Sequence, residues 1–111
     1  MPYTFSAPRC PACDDGVLCR NISEWYYNAV CNNSQCKTRV RGEGTYNEAW
    51  QVIFHVYKKK KACFFIVNEQ VLRQPKEYRR DAYWWELIEL NIDLITAKYK
   101  EQHANLHRAS S

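Results

Sequence analysis

The most regular hydrophobic pattern in the chain lies near its C-terminus. After Pro75 nothing breaks a helix, and Trp85, Ile88, Ile92, Ile95 and Tyr99 recur at alternating spacings of three and four. Tyr83, Leu87, Leu90, Leu94 and Ala97 form a second stripe beside the first. The pattern predicts one long amphipathic helix over 75–107, about 31 residues and about 46 Å long. A compact chain of this size is only about 34 Å across. Either the helix bends near Asn91, or a second copy of the chain covers one stripe. Asn91 and Asp93 interrupt the second stripe and leave it to the protein's own core, so a homodimer is expected through Ile88, Ile92, Ile95 and Tyr99. Trp84 and Trp85 point about 100° apart on a helix and cannot both face one narrow core. With those four residues they form the candidate protein interface.

Upstream the pattern is shorter and less regular. Glu24 to Val30 is aromatic and β-branched and reads as a strand; Thr38 to Arg41 reads as the returning strand. Arg39 and Arg41 alternate with Val40 and so share a side. Gly42-Glu43-Gly44 is expected to end that strand. Thr45-Tyr46-Asn47-Glu48 matches a capping box, and Tyr46, Trp50, Ile53 and Tyr57 follow at helical spacing. This predicts a helix over 46–58. A strand over 51–57 is the alternative, because Val52-Ile53-Phe54-His55-Val56-Tyr57 is β-branched and aromatic. Residues 62–68 fit a buried strand or a helix equally. The expected architecture is small α+β: a lead-in over 1–8, a hairpin ribbon over 9–44, a helix or strand connector over 45–74, then a mainly helical C-terminal part with one long helix.

At 111 residues the chain is one domain, and 46% hydrophobic with 25% charged residues excludes a disordered one. No apolar run is long enough to span a membrane. The first twenty residues lack the basic start and apolar stretch of a secretory signal, so a reducing cytoplasm is expected. In that compartment six cysteines favour metal over disulfides. Cys10-Pro-Ala-Cys13 is a CxxC pair, Cys31-Asn-Asn-Ser-Gln-Cys36 a CxxxxC pair, and seventeen residues separate them. Two thiolate pairs on tight turns make a tetrahedral sulfur site, the geometry Zn²⁺ prefers at about 2.3 Å per bond. Four thiolates leave no open position, so the expected single Zn²⁺ is structural. Cys19 and Cys63 are surplus, Cys63 reading as a small buried hydrophobe in Ala62-Cys63-Phe64-Phe65. His103 and His107, spaced four apart, read as solvated. No catalytic constellation is present, and an enzyme is not expected.

The ribbon resembles the small zinc-binding phage regulators of the Ogr/Delta type. The matching residues are Cys10-Pro-Ala-Cys13, the aromatic approach Trp25-Tyr26-Tyr27, and the CxNxxC form Cys31-Asn32-Asn33-Ser34-Gln35-Cys36. The stretch Val40-Arg41-Gly42, Thr45 and Glu48-Ala49-Trp50 is also similar to Lar-type restriction-alleviation ribbons. Both resemblances lie within residues 9–51. They imply a bacteriophage regulator in the host cytoplasm that binds promoter DNA and host RNA polymerase, or an adaptor that seizes another host protein such as a restriction enzyme. The candidate nucleic-acid-binding residues are Arg20, Lys37, Arg39, Arg41, Lys58, Lys59, Lys60 and Lys61. Basic side chains there neutralise phosphates, and aromatic faces between them stack on bases. The net charge of +4 is compatible with that role without requiring it.

Overall fold

The computed structural model describes residues 8–13, 15–22 and 27–109, with side chains through residue 102. The expected lead-in and the aromatic approach at Trp25 and Tyr26 therefore fall mostly outside the described residues, as do the side chains of His103 and His107. The core element is one antiparallel sheet of five strands in sequence order: β1 (Leu18–Arg20), β2 (Ala29–Cys31), β3 (Arg39–Asn47), β4 (Ala49–Lys58) and β5 (Lys61–Asn68). A single 3-10 turn over Glu69–Val71 leads to an irregular segment and then to two helices, α1 (Tyr83–Leu90) and α2 (Ile92–Ala109).

Period-two burial makes the sheet. Val40, Val52, Phe54, Val56, Phe65 and Val67 are buried on one face, while Arg39, Arg41, Ile53, His55, Phe64 and Ile66 lie on the other. The register stacks the buried face into rows: Val40, Val56 and Cys63; Gly42, Phe54 and Phe65; Gly44, Val52 and Val67. Leu87, Ile88 and Ile95 of the helices complete the core, each with no exposed surface.

The helix expected over 46–58 is not formed; the strand alternative is, and it extends over all of Ala49–Lys58. Tyr46 and Trp50 are not neighbours on a helix but opposite partners across the β3–β4 hairpin, with rings edge to face at 5.3 Å. Glu48 does not cap; it forms the turn, at φ 69°. Nor does Gly42-Glu43-Gly44 end β3. The glycines lie inside the strand because Trp84 of α1 sits on them: a Cβ at Gly42 would lie 2.8 Å from Trp84 Cε3.

The one long helix and the mainly helical C-terminal part are also corrected. Lys76, Glu77, Tyr78, Arg79 and Arg80 are exposed and non-helical, since this stretch has no apolar face to bury and packing is what stabilises a short helix. The helical pattern that remains is broken at Asn91, the bend that was the alternative to a second copy. Asn91 is 5% exposed; its amide nitrogen donates to Arg73 O at 3.0 Å and Leu87 O at 2.8 Å, and its Oδ1 accepts from Arg73 N at 2.8 Å. The break folds the stripe of Ile88 and Ile95 back onto the sheet, whereas Leu90 and Ala97 of the second stripe, expected to face the core, are exposed. Ile88 and Ile95 are fully buried, and Trp84, Trp85, Ile92 and Tyr99 pack partly buried against the same core. The uncovered stripe that motivated a homodimer is thus already covered within the chain.

Candidate metal centre

The sulfurs of Cys10, Cys13, Cys31 and Cys36 all lie within 4.8 Å of one another. Two of the separations, Cys10 to Cys36 and Cys13 to Cys31, are 3.8 Å. A tetrahedron with Zn–S bonds of about 2.3 Å has edges of about 3.8 Å, so the spacing fits a tetrathiolate metal ion. Cys10, Cys31 and Cys36 are buried and Cys13 half-buried. Four thiolates this close and this buried repel one another unless a cation sits between them.

Two knuckles supply the ligands. The first is closed by the Arg9–Val17 bridge, with Cys10 N donating to Gly16 O at 3.1 Å. The second is the β2–β3 connection, so the ladder itself carries Cys31 into the site and Thr38 out of it; Cys31 N donates to Thr38 O at 2.8 Å. In both knuckles the first sulfur accepts from the backbone N–H two residues on, Ala12 to Cys10 and Asn33 to Cys31, each at 3.4 Å. The knuckles are joined by Asn32, whose N–H donates to Val17 O and whose Oδ1 accepts from Val17 N, both at 3.0 Å. Thr38 is fully buried, and its hydroxyl lies 2.9 Å from Cys36 Sγ. Gly16 backs the site: a Cβ there would lie 2.5 Å from Cys31 Sγ.

These surroundings split the thiols. Burial pushes Cys10 and Cys31 up, Cys31 strongly. Burial also opposes ionisation of Cys36, but hydrogen bonds from the Thr38 hydroxyl and N–H and from the Cys13 and Cys10 thiols outweigh it and bring Cys36 to about 7. Binding a metal here draws the remaining protons off the thiols.

Asn33, Thr38, Gly16 and Lys58 were not among the residues singled out for the metal. Asn33 had a signal, the CxNxxC form. Its carbonyl accepts from Cys36 N and Lys37 N, its Oδ1 from Gln35 N, and its N–H holds Cys31, so the side chain, N–H and carbonyl of one residue shape the whole second knuckle. Lys58 Nζ donates to Ala12 O at 3.1 Å, which fastens the β4–β5 hairpin to the first knuckle. Cys19 is exposed and outside the cluster; Cys63 is half-buried on the helix side of β5, with its thiol pushed up by burial.

The candidate nucleic-acid residues divide. Lys37, Lys59, Lys60 and Lys61 are exposed beside the metal centre. Arg39 lies over the Tyr27 ring at 5.0 Å, and Arg41 pairs with Glu43, which also bonds His55 Nε2 at 2.9 Å. Arg20 is elsewhere, donating to Asp81 O at 2.9 Å. Among the described residues no helix is long and apolar enough to cross a membrane. The fold and the site define a four-cysteine cluster that could hold a metal ion, at one end of a five-stranded antiparallel meander backed by two helices. No known protein family, curated protein or solved structure matches the chain.

Proposed function

We propose that the protein is a zinc-stapled regulator of the phage type that works by binding DNA and the transcription machinery on it. The observation that carries this reading is the gathering of basic side chains at the metal end of the sheet. Lys37 follows the last cysteine, Lys58 and Lys61 are paired across the β4–β5 turn that Lys58 ties to the first knuckle, and Lys59 and Lys60 form that turn. Arg39 opens β3 at the same end, opposite Tyr57. Residues separated in sequence thus converge into one cationic end, the feature that phosphate binding needs.

A DNA titration across salt tests it. Each phosphate neutralised contributes about −0.9 to the slope of log K against log salt. Replacing Lys59, Lys60 and Lys61 together by alanine is expected to flatten that slope by about two to three units and to weaken all sequences alike. An unchanged slope rejects this end as the phosphate contact. The second reading, a protein-binding adaptor or inhibitor of a host complex, is favoured by one observation: Phe64 and Ile66 are 59% and 51% exposed side by side on the open sheet face. It predicts negligible DNA affinity at any salt and loss of partner binding on Phe64→Ser.

A further inference from the structure

At the end of the sheet remote from the metal, a pocket of about 220 Å³ opens between the β3–β4 hairpin and the first turn of α1. Its walls are Trp50, Tyr83 and Trp84, and Glu69 stands at its rim. Gly44 is its floor: a Cβ there would lie 3.7 Å from Trp84 Cη2 and 3.9 Å from Trp50 Cζ3, so both indoles flank bare backbone. The walls are fixed by contacts with one another and with the strands around them. Trp84 rests on Gly42 and meets Tyr83 edge to face, the ring planes 75° apart. Trp50, 59% exposed, is braced by Tyr46 across the hairpin.

We propose that this pocket receives a quaternary, fully methylated ammonium group. Three aromatic side chains and one carboxylate around a single pocket attract a cation without needing many hydrogen bonds. The hydrogen-bonding groups argue against other cations. Gln51 Nε2 is engaged with Asn68 Oδ1 at 3.0 Å, and the Tyr83 hydroxyl donates to Gln74 Oε1 at 3.4 Å. A primary ammonium or a guanidinium would surrender water and need its N–H groups met in fixed directions by Glu69, Gln51 Oε1 and the Tyr83 oxygen, whereas a methylated ammonium has no N–H to satisfy. Burial and then the Glu69 charge push the Tyr83 phenol up. The site is independent of the metal centre and of any DNA contact.

Titration of the zinc-loaded protein, read on the indole N–H resonances by NMR, tests the proposal. Choline and tetramethylammonium are expected to shift Trp50 and Trp84, and 3,3-dimethylbutan-1-ol, the neutral isostere of choline, to bind at least tenfold more weakly. Trp50→Ala should abolish the shift of Trp84, and Glu69→Gln should weaken choline severalfold. Zinc content and amide dispersion verify that each variant is folded. A peptide carrying trimethyl-lysine binding tenfold tighter than choline assigns the group to a protein tail; equal binding assigns it to a small metabolite. Equal affinity for the neutral isostere, or undiminished choline binding in folded Trp50→Ala, overturns the cation site.

Discussion

Asn33 shows how a single residue shapes the metal centre. It is no ligand, yet its N–H supports Cys31, and its side chain and carbonyl hold the turn that delivers Cys36. Groups that orient ligands typically matter by about 10–100-fold in metal affinity. Asn33→Ala is expected to weaken zinc by that factor in a chelator competition, without removing a sulfur. An affinity within twofold of the parent would show that the backbone alone sets the knuckle. Gly16→Ala is expected to be worse, because the added carbon meets a ligand sulfur head on. Lys59 makes the opposite case. It sits at φ 57°, a conformation that costs a side chain roughly 1–2 kcal/mol and glycine almost nothing. Part of that gain is offset by the greater freedom of an unfolded glycine. Lys59→Gly should therefore raise the denaturant midpoint by an amount worth about 0.5–1 kcal/mol; an unchanged or lower midpoint would contradict the strained turn. The ligands themselves were legible because their spacing is a local signal. Lys58 was not, because its role exists only once strands distant in sequence are paired, and Thr38 was not, because a hydroxyl two residues past a cysteine carries no pattern of its own.

The elements show which patterns were readable. The alternation of Val52, Phe54 and Val56 with Ile53, His55 and Tyr57 was in the sequence, but Tyr46, Trp50, Ile53 and Tyr57 offered a competing helical spacing. The β-branched and aromatic composition decides between them, since such side chains lose rotamer freedom in a helix and pack well on a pleat. The glycines at 42 and 44 misled for another reason. They read as a stop, and their use is to admit an indole that is forty residues away in sequence. The helix bend was legible as an interruption of the apolar stripe at Asn91; the partner of Asn91 was not. With both amide groups engaged on the Arg73 backbone, Asn91 ties the irregular 72–82 segment to the helix break. Asn91→Ala removes both part-buried hydrogen bonds to the Arg73 backbone, an expected loss of about 1–3 kcal/mol at roughly 0.5–1.5 kcal/mol per bond. Calorimetry checks it, and a loss below about 0.5 kcal/mol would show that water replaces the amide.

On the scale of the whole molecule, two kinds of cohesion share one sheet. β1, β2 and the knuckles bury little beyond Leu18, Ala29 and the cysteines, whereas β3 to β5 and the helices enclose Phe54, Phe65, Leu87, Ile88 and Ile95. A structural zinc site contributes roughly 10–16 kcal/mol of apparent binding free energy, comparable with or above the roughly 5–15 kcal/mol net stability of an entire domain. The metal end is therefore expected to depend on its ion, and the aromatic end on its apolar core. Stripping zinc with excess chelator should raise amide hydrogen exchange across residues 9–20 and 29–38 toward the unfolded rate. The β4–β5 ladder should keep most of its protection, because its eight paired positions and the helix layer do not pass through the knuckles. Lys58 marks the border: its hydrogen bond to Ala12 is the described side-chain bond from the β4–β5 hairpin to the first knuckle, so exchange at Lys58 to Lys61 should rise modestly with the metal end. Simultaneous loss of protection in β4 and β5 would mean that the sheet folds as one cooperative unit and that the ion supports all of it. Full retention at residues 29–38 would mean that β2 and its knuckle hold their place on the β3 ladder without any metal.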